Sequence, residues 1–217
     1  MNSDVIRAGI WRENVPPSLP PEQKYWLLRP GALTGGLRQI GHVDLAVVGE
    51  YASGLPASEA WMVGKPPRTA MHVREIRMAI NGTNSVVARS FTPQAASFSW
   101  WRGMRALNRR PLADMLYHDP QITRSRFFVC RVRAGQPLYG AVRRALGGQA
   151  PAAQALVARC SVFWRQGCPL LVAECFLPAF WPLAAKAMHE RRLSRAGDQC
   201  DRIFDRNCLA RSERCSG

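Results

Sequence analysis

Two strand-like stretches each place one charged side chain among apolar ones. In His72–Ile80, period-2 alternation sets Arg74 on the same side as Ile76, Met78 and Ile80, with Glu75, Arg77 and Asn81 on the other side, which should be the wet face. In Leu170–Leu177 the same count sets Glu174 beside Leu170, Val172 and Phe176. A lone arginine and a lone glutamate on core-facing positions are expensive without partners. Either they pair with one another inside the core, or they face a closed apolar pocket. Such a pocket would hold one fixed cation for a carboxylate and one carboxyl group for acid–base or hydrogen-bonding work. Burial would raise the Glu174 pKa and a nearby arginine would lower it, so sequence leaves its protonation open.

The elements that must position these residues read as follows. Residues 1–23 form an extended arm stiffened by Pro16-Pro17 and Pro20-Pro21, and the apolar Tyr25–Leu28 leads through Pro30-Gly31 to a short helix from Leu33. Val43–Val48 is a strand and residues 52–69 are loop-like. His72–Ile80 and Val86–Thr92 flank Asn81-Gly82, the favoured chemistry of a tight hairpin. Phe98, Trp101, Met104 and Leu107, three apart, suggest one face of a helix, and Pro111 should start another through Leu112, Met115 and Leu116. Strands follow at Phe127–Val132, Leu156–Trp164 and Leu170–Leu177, with a helix near Leu138–Leu146 and a turn at Gln166-Gly167. Hairpin connections without strand–helix–strand alternation mean an α+β single domain built on an antiparallel sheet flanked by helices. The Leu112 and Ala113 N–H groups, at a helix start, would lack intrahelical partners.

Composition excludes several classes. With 217 residues, 47% hydrophobic and 21% charged, the chain is neither disordered nor collagen-like. The formal charge is +15, of which +3 falls on residues 182–217 and +12 on residues 1–181. That field suits solubility or an anionic partner. No long basic block, zinc-finger spacing or helix-turn-helix supports nucleic acid. The apolar run Cys168–Ala185 carries Glu174 and three prolines, so stable membrane insertion is not expected, and the charged first twenty residues are not expected to act as a signal peptide. Seven cysteines without a CxxC pair point to a reducing cytoplasm, small core thiols and no metal. The histidines, His72 and His118 among them, make no triad pattern. Arg191, Arg192 and Arg195 read as a solvated helix face.

The residues together resemble a known family. Trp26-Leu27-Leu28 with Gly31-Ala32-Leu33-Thr34, then Val73-Arg74-Glu75-Ile76, Arg110-Pro111-Leu112, Ile122-Thr123-Arg124 and Leu170–Pro178 are similar in order and spacing to chorismate–pyruvate lyase over about residues 24–181. The resemblance implies a sheet of about six strands and an enzyme without cofactor. It would convert chorismate to 4-hydroxybenzoate and pyruvate at the start of ubiquinone synthesis, as a cytoplasmic monomer. Arg74 would bind the ring carboxylate, and Glu174 would face the hydroxyl and ether end. Leu33 and Leu112 would contact ligand through their backbones. Chorismate is a dianion, so a second cation is expected, from Arg124, Arg126 or Arg159. The alternative is a non-catalytic aromatic-acid-binding module of the same fold. The segment 134–155 and the cysteine-containing tail 182–217 depart from the family pattern.

Overall fold

The computed structural model describes residues 10–117, 119–191 and 193. Two compact units divide between Trp181 and Pro182, and everything below concerns the first. The chain runs α1 (Pro21–Leu28), α2 (Leu33–Arg38), β1 (Val43–Gly54), α3 (Ala57–Val63), β2 (Ala70–Ile80) and β3 (Thr83–Pro93). It continues with α4 (Ala113–Leu116), β4 (Thr123–Arg124), β5 (Phe128–Arg131), α5 (Pro137–Leu146), β6 (Val157–Arg165) and β7 (Cys168–Phe176). The fold is α+β with a seven-stranded antiparallel sheet in the order β1-β2-β3-β7-β6-β4, with β5 also pairing β6. The strand beyond the expected six is the two-residue β4, too short to leave an alternation pattern.

Two tight hairpins set the registers. Asn81 and Gly82 both take positive φ, 48° and 80°, the type I′ geometry whose twist matches the flanking strands. Gln166 and Gly167 repeat it at 49° and 70° between β6 and β7.

Both faces of the sheet are covered, so β2 and β3 read as nearly continuous buried runs. One face carries Val73, Val87, Phe91, Leu171, Ala173 and Cys175 into a core shared with α3 and α5. On that face Glu75 is fully buried, not solvated as alternation suggested. It accepts hydrogen bonds from Tyr51 Oη (2.6 Å) and from Arg144 Nε and Nη2 (2.8 and 2.6 Å). Arg89 beside it pairs with buried Glu59 at 2.8 Å. Glu75 looks like part of a wet face in sequence because Arg144, its partner on α5, lies far along the chain.

Three other expectations change. Residues 52–69 are not all loop: β1 extends to Gly54 and α3 follows. The segment after β3 is not an α-helix but two 3₁₀ turns, Ala96–Phe98 and Arg102–Ala106. Its spacing of three is the 3₁₀ period itself. Trp101, Met104 and Leu107 face inward while Phe98 stays exposed. The arm before residue 24 is partly helical, since α1 begins at Pro21, and Arg12 bridges to Val129 through paired backbone bonds of 2.9 and 2.7 Å. His118, Arg192 and Arg195 lie outside the described residues.

Candidate active site

The second face of the sheet floors a pocket. Register puts Ile76, Ala88, Glu174 and Arg159 in one cross-strand row, and Arg74, Ser90, Val172 and Ser161 in the next. Alternate positions of four strands thus share one surface, with Arg74 and Glu174 on it, two strands and one two-residue step apart, on the order of 10 Å between Cα atoms. Leu33 and Thr34 of α2 close one side, and Pro111, Leu112, Ala113 and Tyr117 another. Arg124, Phe127 and Phe163 complete the wall, around ≈ 50 Å³ of free volume.

Arg74 and Glu174 do not pair with each other. Glu174 Oε2 accepts from Arg159 Nε at 2.6 Å, while its side chain keeps 16% exposure toward the cavity. Arg159 is 1% exposed, and its Nη1 donates to the carbonyls of Trp26 (3.0 Å) and Arg29 (2.9 Å). These two carbonyls at the end of α1 have no helical donor, so a buried guanidinium satisfies them. Arg29 in turn donates to the Ala32 carbonyl. The Glu174–Arg159 pair therefore fixes the α1–α2 corner and with it Leu33 over the pocket.

Arg74 works the same way on the other wall. It is 1% exposed, and its Nε donates to Glu50 at 2.9 Å, its direct cross-strand partner. Its Nη2 donates to the Asn108 and Arg110 carbonyls at 2.5 and 3.4 Å, which holds the approach to Leu112. Arg74 is thus beside the pocket and not in its lining, unlike Leu33, Leu112 and Glu174. Helix α4 starts at Ala113 rather than at Pro111. Asp114 N–H returns to Pro111 and Met115 N–H to Leu112, so the N–H groups of Leu112 and Ala113 precede the first turn's bonds.

Of the three arginines raised for a second anionic group, Arg124 and Arg159 line the pocket. Arg126 does not: it is 84% exposed and paired with Glu13. Arg124 donates from Nε to Ser161 Oγ (3.1 Å) and from Nη1 to Tyr117 Oη (3.2 Å). Both guanidinium groups contact the Phe127 ring, Arg124 at 3.8 Å and Arg159 at 4.3 Å from its centre. Burial pushes the Tyr117 phenol up, and it pushes the Arg124 guanidinium down, so the phenol stays protonated at neutral pH. Tyr117, Ser161 and Phe127 were not singled out in the sequence. Alternation along β6, which sets Arg159, Ser161 and Phe163 on one face, carried that signal for two of the pocket's polar groups.

Among the described residues no group of three or more His, Cys, Asp or Glu could hold a metal ion, and no helix is long and apolar enough to cross a membrane.

A covered antiparallel sheet with a mostly apolar pocket and a carboxylate–guanidinium pair in its wall defines a small-molecule site. The chorismate lyase family model matches residues 6–186. The "Probable chorismate pyruvate-lyase" of Bordetella pertussis is 54% identical over 186 residues, 85% of this chain and 96% of that protein. The protein of the same name in Bordetella avium is 52% identical over 174 residues, 80% of this chain and 86% of its own. "Probable chorismate pyruvate-lyase 1" of Pseudomonas fluorescens is 38% identical, over 80% of this chain and 92% of its own. The effector domain of PhnF from Mycobacterium smegmatis aligns at 11% identity with a TM-score of 0.47, over 68% of this chain and 89% of its own. The chain belongs to the chorismate lyase family and is an enzyme of that class.

Proposed function

We propose that the chain converts chorismate to 4-hydroxybenzoate and pyruvate in the cytoplasm, as the first step toward ubiquinone, and works as a monomer through the domain 24–181 without a cofactor. The observation that carries this is the pocket's lining: mostly apolar side chains with Glu174 in one wall and Leu112, at the start of α4, in another, and Arg74 behind it holding the Asn108 and Arg110 carbonyls. The ring carboxylate is taken up at the Leu112 end. There Arg74 Nη1, which has no partner among the described residues, is the group left for it. Glu174 Oε1 likewise has no partner among the described residues and meets the hydroxyl and ether end. Leu33 offers backbone to the same end.

The chemistry asks little of the protein. The C4 hydrogen leaves as a proton while the C3–oxygen bond breaks, the ring becomes aromatic, and the departing enolpyruvate gains a proton on its methylene carbon to become pyruvate. Glu174 either moves that proton, or the pocket holds a conformer that passes it internally, with orientation and charge stabilisation supplied by the wall. Turnover by Glu174→Gln decides between them. A rate reduced about 100-fold or more supports proton transfer, and a near-normal rate with intact binding rules it out. Binding of 4-hydroxybenzoate by calorimetry tests the site itself. One molecule should bind per chain and binding should vanish in Ala88→Phe, which fills the floor. Unchanged binding in that variant would put the site elsewhere.

A further inference from the structure

The pocket wall holds two guanidinium groups, and only one of them is paired with a carboxylate. Arg159 is neutralised by Glu174 at 2.6 Å and spends Nη1 on two carbonyls. Arg74, behind the wall, is neutralised by Glu50 at 2.9 Å. Arg124 has no carboxylate partner among the described residues. Its hydrogen bonds go to two neutral hydroxyls, Ser161 Oγ and Tyr117 Oη, and its Nη2 has no partner among the described residues. Its Cζ lies 3.8 Å from the centre of the Phe127 ring and 5.5 Å from that of Phe163. A half-buried cation hydrogen-bonded only to neutral hydroxyls, with Glu174 acting on it only at longer range and Arg159 opposing it, is oriented and keeps charge to offer an anion. Tyr117 accepts from Arg124, so its own O–H proton remains free to donate in the same direction.

We propose that Arg124, with the Tyr117 hydroxyl beside it, binds the second carboxylate of the substrate, the one on the side chain that leaves the ring. This rests on the chorismate reading above. Position supports it. Arg124 and Arg159 both contact the Phe127 ring, 3.8 and 4.3 Å from its centre, which keeps Arg124 close to the Glu174–Arg159 pair. The ether carbon of chorismate neighbours the hydroxyl carbon, so the second carboxylate must lie at the Glu174 end and not at the Leu112 end. Strand order agrees: Ser161, which accepts from Arg124, shares the cross-strand row of Arg74 but lies three strands from it on β6, next to β7, which carries Glu174. The aromatic product has lost this carboxylate and leaves the subsite unfilled. Arg124 therefore distinguishes substrate from product.

The test measures chorismate kinetics and 4-hydroxybenzoate affinity on the same full-length preparations. In Arg124→Met the chorismate KM should rise about 10- to 100-fold, the loss expected for one charge-assisted contact. The 4-hydroxybenzoate Kd should stay within about threefold of wild type, because that ligand makes no contact there. Arg124→Lys should recover part of the loss, and Tyr117→Phe should raise KM with little effect on product affinity. Exposed Arg126→Met should leave both unchanged. Parallel weakening of substrate and product in Arg124→Met and Arg124→Lys would overturn the proposal and make Arg124 a pocket-shaping residue. An unchanged chorismate KM would place the subsite elsewhere. A wild-type chain without turnover would instead overturn the chorismate reading, and the subsite with it.

Discussion

Replacing Arg159 by methionine should loosen the N-terminal wall of the pocket and cost the protein a large share of its stability. Met keeps the apolar stem but removes the ion pair to Glu174 and both hydrogen bonds to the Trp26 and Arg29 carbonyls. Breaking a buried pair by removing one partner costs about 3–5 kcal/mol. Glu174 keeps contact with the cavity, so water can meet part of its lost solvation, and the lower end, about 3 kcal/mol, is the better figure. At about 2–4 °C per kcal/mol for a domain of this size, the midpoint of thermal unfolding should fall by about 6–12 °C. Hydrogen exchange should quicken at the amides of residues 25–33 first, because the α1–α2 corner loses its anchor. In Arg159→Met/Glu174→Gln the loss should be smaller than the sum of the single losses by about 1 kcal/mol or more, since the orphaned carboxylate is gone. A drop below about 1 kcal/mol, additive single losses, or unchanged exchange at residues 25–33 would refute the anchoring role.

Three further outcomes follow from the buried groups and the charge. Burial pushes the Cys130 thiol up to about 12 and raises those of Cys160 and Cys175. In the folded protein at neutral pH, iodoacetamide should therefore spare these three and modify them only on unfolding; modification as fast as in the unfolded chain would contradict their burial. Glu59 is raised by desolvation, which outweighs its pairing with Arg89. A raised folded pKa gives stability that is full below the unfolded carboxylate value and lost as pH rises through the folded one. The stability advantage of wild type over Glu59→Gln should accordingly shrink from mildly acid to neutral pH, and an advantage that grows would reverse the assignment. The +12 carried by residues 1–181 should steer a dianionic substrate, so kcat/KM should fall as salt rises. A value that does not change with salt would exclude steering.

Much of the fold was legible because its signals are local. The hairpin at Asn81-Gly82, the Gln166-Gly167 turn, helix α5 and the odd charges at Arg74 and Glu174 each follow from a few adjacent residues. The partners were not legible, because they depend on register between distant strands. Glu50 reaches Arg74 only because β1 shifts register between Val47 and Gly49, and no sequence count shows that bulge. Glu75 looked solvent-facing because Arg144, which neutralises it, arrives from a helix 69 residues away; buried Arg89 beside it likewise depends on Glu59, 30 residues away. The roles of Arg74 and Glu174 as anchors of opposite pocket walls depend on bonds to backbone carbonyls, which leave no mark in residue types. Arg159, raised in the sequence only as one of three spare cations, could have been placed on the pocket face by alternation on β6, as Glu174 was on β7.

The most direct measurement mixes the purified chain with chorismate in the presence of a chelator and quantifies both products over time. The expected result is 4-hydroxybenzoate and pyruvate in equal amounts, with turnover lost in Arg74→Ala and in Glu174→Ala. Saturable binding of 4-hydroxybenzoate with no conversion of chorismate would contradict the lyase and leave a binding module built on the same pocket.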